Sequence, residues 1–200
     1  MNEQVDEFEF FLEKIWSDGF PVVTPTEERI ARILGGTKRD PEEVIGPIPP
    51  AMETATVRDV AVHALMAGCR PEYLPVVIGA VELMLRDEFN VNGVQGTMHG
   101  VAPMMIVSGP YAAEIGIHGG NGCMGPGFRA NATIGRAIRL ILTNLGAGIP
   151  GVSSMTIFGM PSRYTYCLAE NMEDNPWASL AVSKGYSADD EVITMAMVES

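Results

Sequence analysis

The chain is poor in cysteine, in charge and above all in basic residues. Three cysteines, Cys69, Cys123 and Cys167, are too few and too scattered for a disulfide framework, and none forms a CxxC pair. A reducing compartment, the cytoplasm, is therefore expected. Charged residues make up 19% of the chain, against about 25% in ordinary globular domains. Lysine and arginine total 13 against 25 acids, a net charge of −12. That balance repels phosphate backbones and anionic bilayers, so neither nucleic acid nor membrane is an expected partner. The first residues are acidic, without the basic start of a signal peptide. Apolar runs are broken before they reach the length of a membrane span.

Glycine (22 residues) and methionine (13) are abundant, and 46% of the chain is hydrophobic. These point to tight turns around a sizeable core or to subunit interfaces. The spacing of Val5, Phe8, Phe11, Leu12 and Ile15 predicts a helix over 3–17, with aromatics on most of its sides. Phe20–Val23 reads as a short strand or extended arm. Thr26 caps a second helix stopped by Gly35-Gly36, and 37–52 is proline-rich and reads as linker. Thr56 caps a helix ended by Gly68, Pro71 opens another, and 91–100 is rich in turn residues. Strands are expected at 104–107, 164–169 and 192–198, and a long helix at 129–145. The fold class is α/β, with mixed α+β as the alternative: a short central sheet flanked by helices, with a helical N-terminal arm. Residues 1–52 form arm and linker, and 53–200 the main domain.

The densest chemistry lies in GIHGGNGCMGPGFRANATIGR, residues 116–136. Glycines expose backbone N–H groups, and the helix N-terminus that follows attracts negative charge. Gly119, Gly120, Asn121, Gly125, Gly127 and Asn131 are candidate binding residues, with Arg129 and Arg70 as charge partners for a small anion; Arg136 could add a further charge-assisted bond. Neither a Walker loop nor a GxGxxG fingerprint is present, and the same glycines would also suit a packed structural crossover. Cys123 is the candidate nucleophile, or else a small filler. His99 and His118 stand in glycine-bounded loops flanking one strand, where they could converge as acid and base. Glu170 ends an apolar strand, a position that suits a carboxylate in α/β sites. His63 reads as structural, and Arg70 with Glu72 as a pair fixing a helix corner. No metal-ligand spacing is recognisable, and no cofactor is named.

The strings DGFPVVTPTEERI, MAGCRPEYLPVV, GPGFRANATIGRAIRL and GMPSRYTYCLAENMEDNPW resemble the front part of the bacterial UGSC family, from about Asp18 onward. Members of that family carry a selenocysteine- or cysteine-Gly-Ser-Cys motif further on, which implies thiol or selenol redox chemistry. These 200 residues contain no such motif. The resemblance implies either a second subunit carrying the remaining half or a protein built on the front module alone. The expectation is an enzyme, or one subunit of a heteromeric enzyme, acting on a small anionic or carbonyl-bearing metabolite by lyase, hydrolase or thiol-linked reductive chemistry. The rival classes are a structural subunit that completes a partner's active site and a metal or cofactor carrier.

Overall fold

The computed structural model describes residues 6–199. It is a mixed α and β protein in which two small sheets are flanked by helices. Helix α1 (Glu7–Leu12) is shorter than the predicted 3–17, and residues 3–5 of that expectation lie outside the described range. Phe11 and Trp16 pack against the core, whereas Phe8 and Phe10 face outward. Residues 20–23 run extended, anchored by a bond from Val23 N to Met66 O, 3.1 Å. Helix α2 (Glu27–Leu34) is capped by Thr26 and buries Ile30 and Ile33.

The linker expectation for 37–52 is corrected. That stretch contains β1 (Val44–Ile48), which pairs antiparallel with β2 (Glu53–Thr56), so the hairpin spans Met52. Ile48, at the inner end of β1, is completely covered. Apolar residues within a proline-rich segment are the signal that marks the strand.

Helix α3 (Val57–Ala67) begins with a reciprocal cap between Thr56 and Asp59 and ends at left-handed Gly68. A 3-10 turn from Pro71 leads into α4 (Leu74–Met84), which is apolar nearly all round and correspondingly buried. In place of the turns expected over 91–100, Asn90 caps the short α5 (Val91–Gly96). Strand β3 (Val101–Ser108) is followed by α6 (Pro110–Glu114), the glycine-rich loop, and α7 (Arg129–Asn144), the longest described helix. Strand β4 (Cys167–Ala169) is half the predicted length: residues 164–166, which follow a 3-10 turn at 161–163, stand outside it. A single turn, α8 (Leu180–Ser183), precedes β5 (Val192–Glu199).

The main sheet has the order β4-β3-β5, parallel between β3 and β4 and antiparallel between β3 and β5. Helices α3, α4 and α7 bury Leu74, Val77, Ile134, Leu140 and Ile141 against one another. Asp18 and Arg136 tie the arm to this body: Arg136 Nε and Nη2 donate to Asp18 at 2.6 and 2.9 Å, and Nη2 also reaches the carbonyls of Phe20 and Pro21. Among the described residues, no helix is long and apolar enough to cross a membrane.

Candidate functional site

The parallel register places Val107 beside Ala169, so the next residues, Ser108 and Glu170, emerge together where both strands end. Glu170 N donates to Val107 O, continuing the ladder by one step. Ser108 Oγ then donates to Glu170 Oε2 at 2.6 Å, and Leu180 N at the start of α8 donates to Oε1 at 2.6 Å. The carboxylate is thus fixed from two sides, and each oxygen keeps a lone pair for a third partner. The carboxyl ends of parallel strands are the usual ligand-binding edge of such sheets.

A cavity of about 470 Å³ opens at this edge, lined by Ser108, His118, Gly119, Gly120 and Glu170 among others. His118 is positioned through its backbone. Its N–H donates to Asn131 Oδ1 (2.8 Å), and its carbonyl accepts from Asn131 Nδ2 (2.9 Å) and from Ala169 N (3.2 Å). The ring stacks on Phe128 with centroids 4.0 Å apart. Nε2 lies 3.1 Å from the carbonyl of Asn121. A carbonyl only accepts, so Nε2 carries a proton and the neutral ring presents Nδ1 as the acceptor. The cavity wall also holds Glu173 and Asp174, and among the described residues neither lysine nor arginine lines it.

Gly119 meets a packing demand: a Cβ would sit 2.4 Å from Ala169 O, so the loop could not lie against β4. Asn131 is a buried clamp whose amide holds His118 and also the carbonyl of Cys123 at 3.1 Å, and it borders the cavity around Cys123. Asn121 contributes its backbone carbonyl to His118 rather than a side chain to the cavity wall.

Other expected site residues lie elsewhere. Cys123 and Gly125 line a separate cavity of about 580 Å³ with Thr165 and Cys167, which does not include His118. Gly127, at φ +120°, is an exposed hinge between the loop and α7. Arg129 directs Nε and Nη2 at Gly68 O, joining α7 to the end of α3. Arg70 is exposed and lies 3.8 Å from Glu72, the expected corner pair. The pairing of Arg129 and Arg70 around an anion at the glycine loop is therefore not assembled, and Arg136 is engaged by Asp18.

His99 and His118 do not converge. His99 precedes β3, where its Nδ1 meets Glu199 Oε1 at 2.6 Å; His118 lies beyond the other end, and eight strand residues separate the two by roughly 23 Å. Flanking one strand in sequence places residues at opposite ends of it. His63 is buried, its Nδ1–H donating to Asp59 O at 2.7 Å, as a structural histidine would. Burial holds its pKa below the usual imidazole range. All three cysteines are free; burial pushes the Cys69 thiol up to about 12, and Cys167 is raised further in the same direction. Among the described residues, no group of three or more His, Cys, Asp or Glu side chains is arranged to hold a metal ion.

Ser108 joins the candidate site, and the sequence pattern hides it. In Ser108-Gly109-Pro110 it reads as a strand terminator, although a hydroxyl at the carboxyl end of a buried strand is itself a site signal. Arg139 and Arg163 lie within the strings that resemble the UGSC family but are not singled out there as site residues. No protein-family model, curated protein or solved structure matches this chain.

Proposed function

We propose that this chain is an enzyme, or one subunit of a heteromeric enzyme, acting on a small carbonyl-bearing metabolite by proton transfer. The observation that carries this reading is that His118 and the Ser108–Glu170 pair line one cavity at the carboxyl ends of β3 and β4. His118, with Nε2–H engaged, offers Nδ1 as base or, once protonated, as acid. Glu170 is the second proton-transfer group, oriented by Ser108 and the α8 backbone. Three carboxylates and no cation among the described wall residues favour a neutral or amine-bearing carbonyl compound over a bare anion at this cavity. Lyase or hydrolase chemistry fits these groups better than thiol chemistry, because Cys123 lies in another cavity. The free thiols support a cytoplasmic location.

A panel of compounds tests this reading without an identified substrate. Small keto and hydroxy-keto compounds are incubated with the protein in D2O, and exchange next to the carbonyl is followed by proton NMR. Exchange by the wild type that falls at least 100-fold in His118→Gln supports the reading. No exchange with any compound, or equal exchange in the variant, sinks it.

A second reading, a subunit that needs a partner chain, is supported by exposed apolar side chains. Val152, Ile157 and Trp177 are 72%, 66% and 80% exposed. The resemblance to the front part of the UGSC family points the same way.

A further inference from the structure

Arg139 and Arg163 occupy a place that needs an anion. Arg139 projects from α7, and Arg163 from the 3-10 turn before β4. Both guanidiniums reach the same neutral acceptor, Gln95 Oε1, each at 3.4 Å. Their remaining bonds are also to neutral groups: Arg139 to Thr143 Oγ1 (3.0 Å) and to Gly148 O, Arg163 to Ser154 Oγ (2.7 Å). Among the described residues, neither has a carboxylate within ion-pair distance. The acid in the surrounding wall, Asp18, is held by two bonds from Arg136. Two cations therefore share one amide oxygen, and the acid whose charge reaches Arg139, Asp18, is already bonded to Arg136. Burial and the neighbouring Arg163 push the Arg139 pKa down to about 10. Like charges brought together away from water are costly unless an anion compensates them.

Both arginines line a cavity of about 420 Å³, and both also border a void of about 20 Å³. The small void, next to the unpartnered Ser162 Oγ, has the size of one water molecule. The large cavity has room for a ligand. Thr156, whose buried Oγ1 has no partner, lines it. Its outer wall is apolar, with Phe158, Tyr164 and Pro150. Phe158 is 97% exposed, so its ring stands at the mouth with little protein against it.

We propose that this cavity binds an organic acid, its carboxylate between Arg139 and Arg163 and its apolar body against Phe158 and Tyr164. Guanidinium forks match a carboxylate in geometry and charge, and the aromatic rim supplies the contact that an inorganic oxoanion could not use. The site lies toward the amino ends of β3 and β4, where Ile157 N bonds to Met98 O. It is thus a different place from the His118 cavity, and the two proposals stand or fall separately.

The test uses benzoate, its neutral analogue benzamide and inorganic phosphate, titrated calorimetrically into the intact chain. Saturable benzoate binding is expected, at least tenfold tighter than benzamide. Arg163→Gln should weaken benzoate at least tenfold. Phe158→Ala alters a fully exposed side chain that the fold does not need, and it should weaken benzoate severalfold while leaving phosphate unchanged. The proposal is overturned if benzoate fails to saturate, if benzamide binds equally well, or if Phe158→Ala leaves benzoate affinity unaltered. Phosphate binding without benzoate binding overturns the assignment to organic acids.

Discussion

At the scale of single residues, burial separates the three thiols. Cys69 and Cys167 are 3% and 4% exposed, and burial raises both pKa values; Cys123 is half-buried in the loop. The nucleophile is the thiolate, so iodoacetamide at pH 8 should modify Cys123 in the folded protein and leave the other two unmodified until denaturant is added. Mass mapping of equal labelling at all three would contradict the packing described. His63 gives a pH signature. Its folded pKa lies below the unfolded value, so between the two the unfolded chain binds more protons and stability rises with pH. The contribution is complete above the unfolded pKa of about 6.5 and is lost as pH falls toward the folded value, at up to about 1.4 kcal/mol per pH unit. Replacing His63 by Leu should reduce the slope of unfolding free energy between pH 7 and 5, and identical slopes would count against a neutral buried imidazole.

At the scale of elements, periodicity is a reliable guide where a helix has both a cap and a stop. Thr56 and Gly68 bound α3, Thr26 and Gly35 bound α2, and both helices stand where their signals place them. It is less reliable where tertiary pairing decides. No local pattern announces that Val44–Ile48 will meet Glu53–Thr56 or that the strand before Glu170 is only three residues long. The candidate site is legible in the same partial way. His118, Gly119, Gly120 and Glu170 meet at one cavity, because a glycine-rich loop and a strand end both belong to one edge of the sheet. Charge and proximity in sequence point Arg129, Arg70 and Asn131 toward a ligand, but their partners are backbone carbonyls and Glu72, which only the fold supplies. Glycine density also has two causes that sequence cannot separate. In α7, a Cβ on Gly135 would fall 2.3 Å from Thr165 Oγ1 and 2.5 Å from Tyr166 N. Gly135→Ala should therefore cost about 1–3 kcal/mol by overpacking, despite alanine's better helix propensity. A thermal melt no lower than wild type would show that the helix can move off the strand.

At the scale of the molecule, the main sheet has a cavity toward each end. One carries His118, Glu170 and acidic walls, and the other Arg139 and Arg163 beside an aromatic rim. The arm is part of this body: Asp18, 3% exposed at its side chain, pairs with Arg136, and Ile30 and Ile33 enter the core. Breaking a buried pair of this kind by removing one partner is strongly destabilising, so the arm is not a detachable tail. Exposed Val152, Ile157 and Trp177 leave apolar surface for association. Native mass spectrometry of the protein at micromolar concentration should show a stable assembly, with itself or with a co-expressed chain. A monomer under both conditions would remove the subunit reading and leave the whole reaction to the residues of this chain.

The most direct measurement compares deuterium exchange into a carbonyl substrate by the wild type, His118→Gln and Cys123→Ser. The histidine variant should lose at least 100-fold in rate, while the cysteine variant, altered in a separate cavity, should stay within about twofold of wild type. Loss of exchange in Cys123→Ser with His118→Gln unaffected would move the chemistry to the other cavity and contradict the assignment to His118.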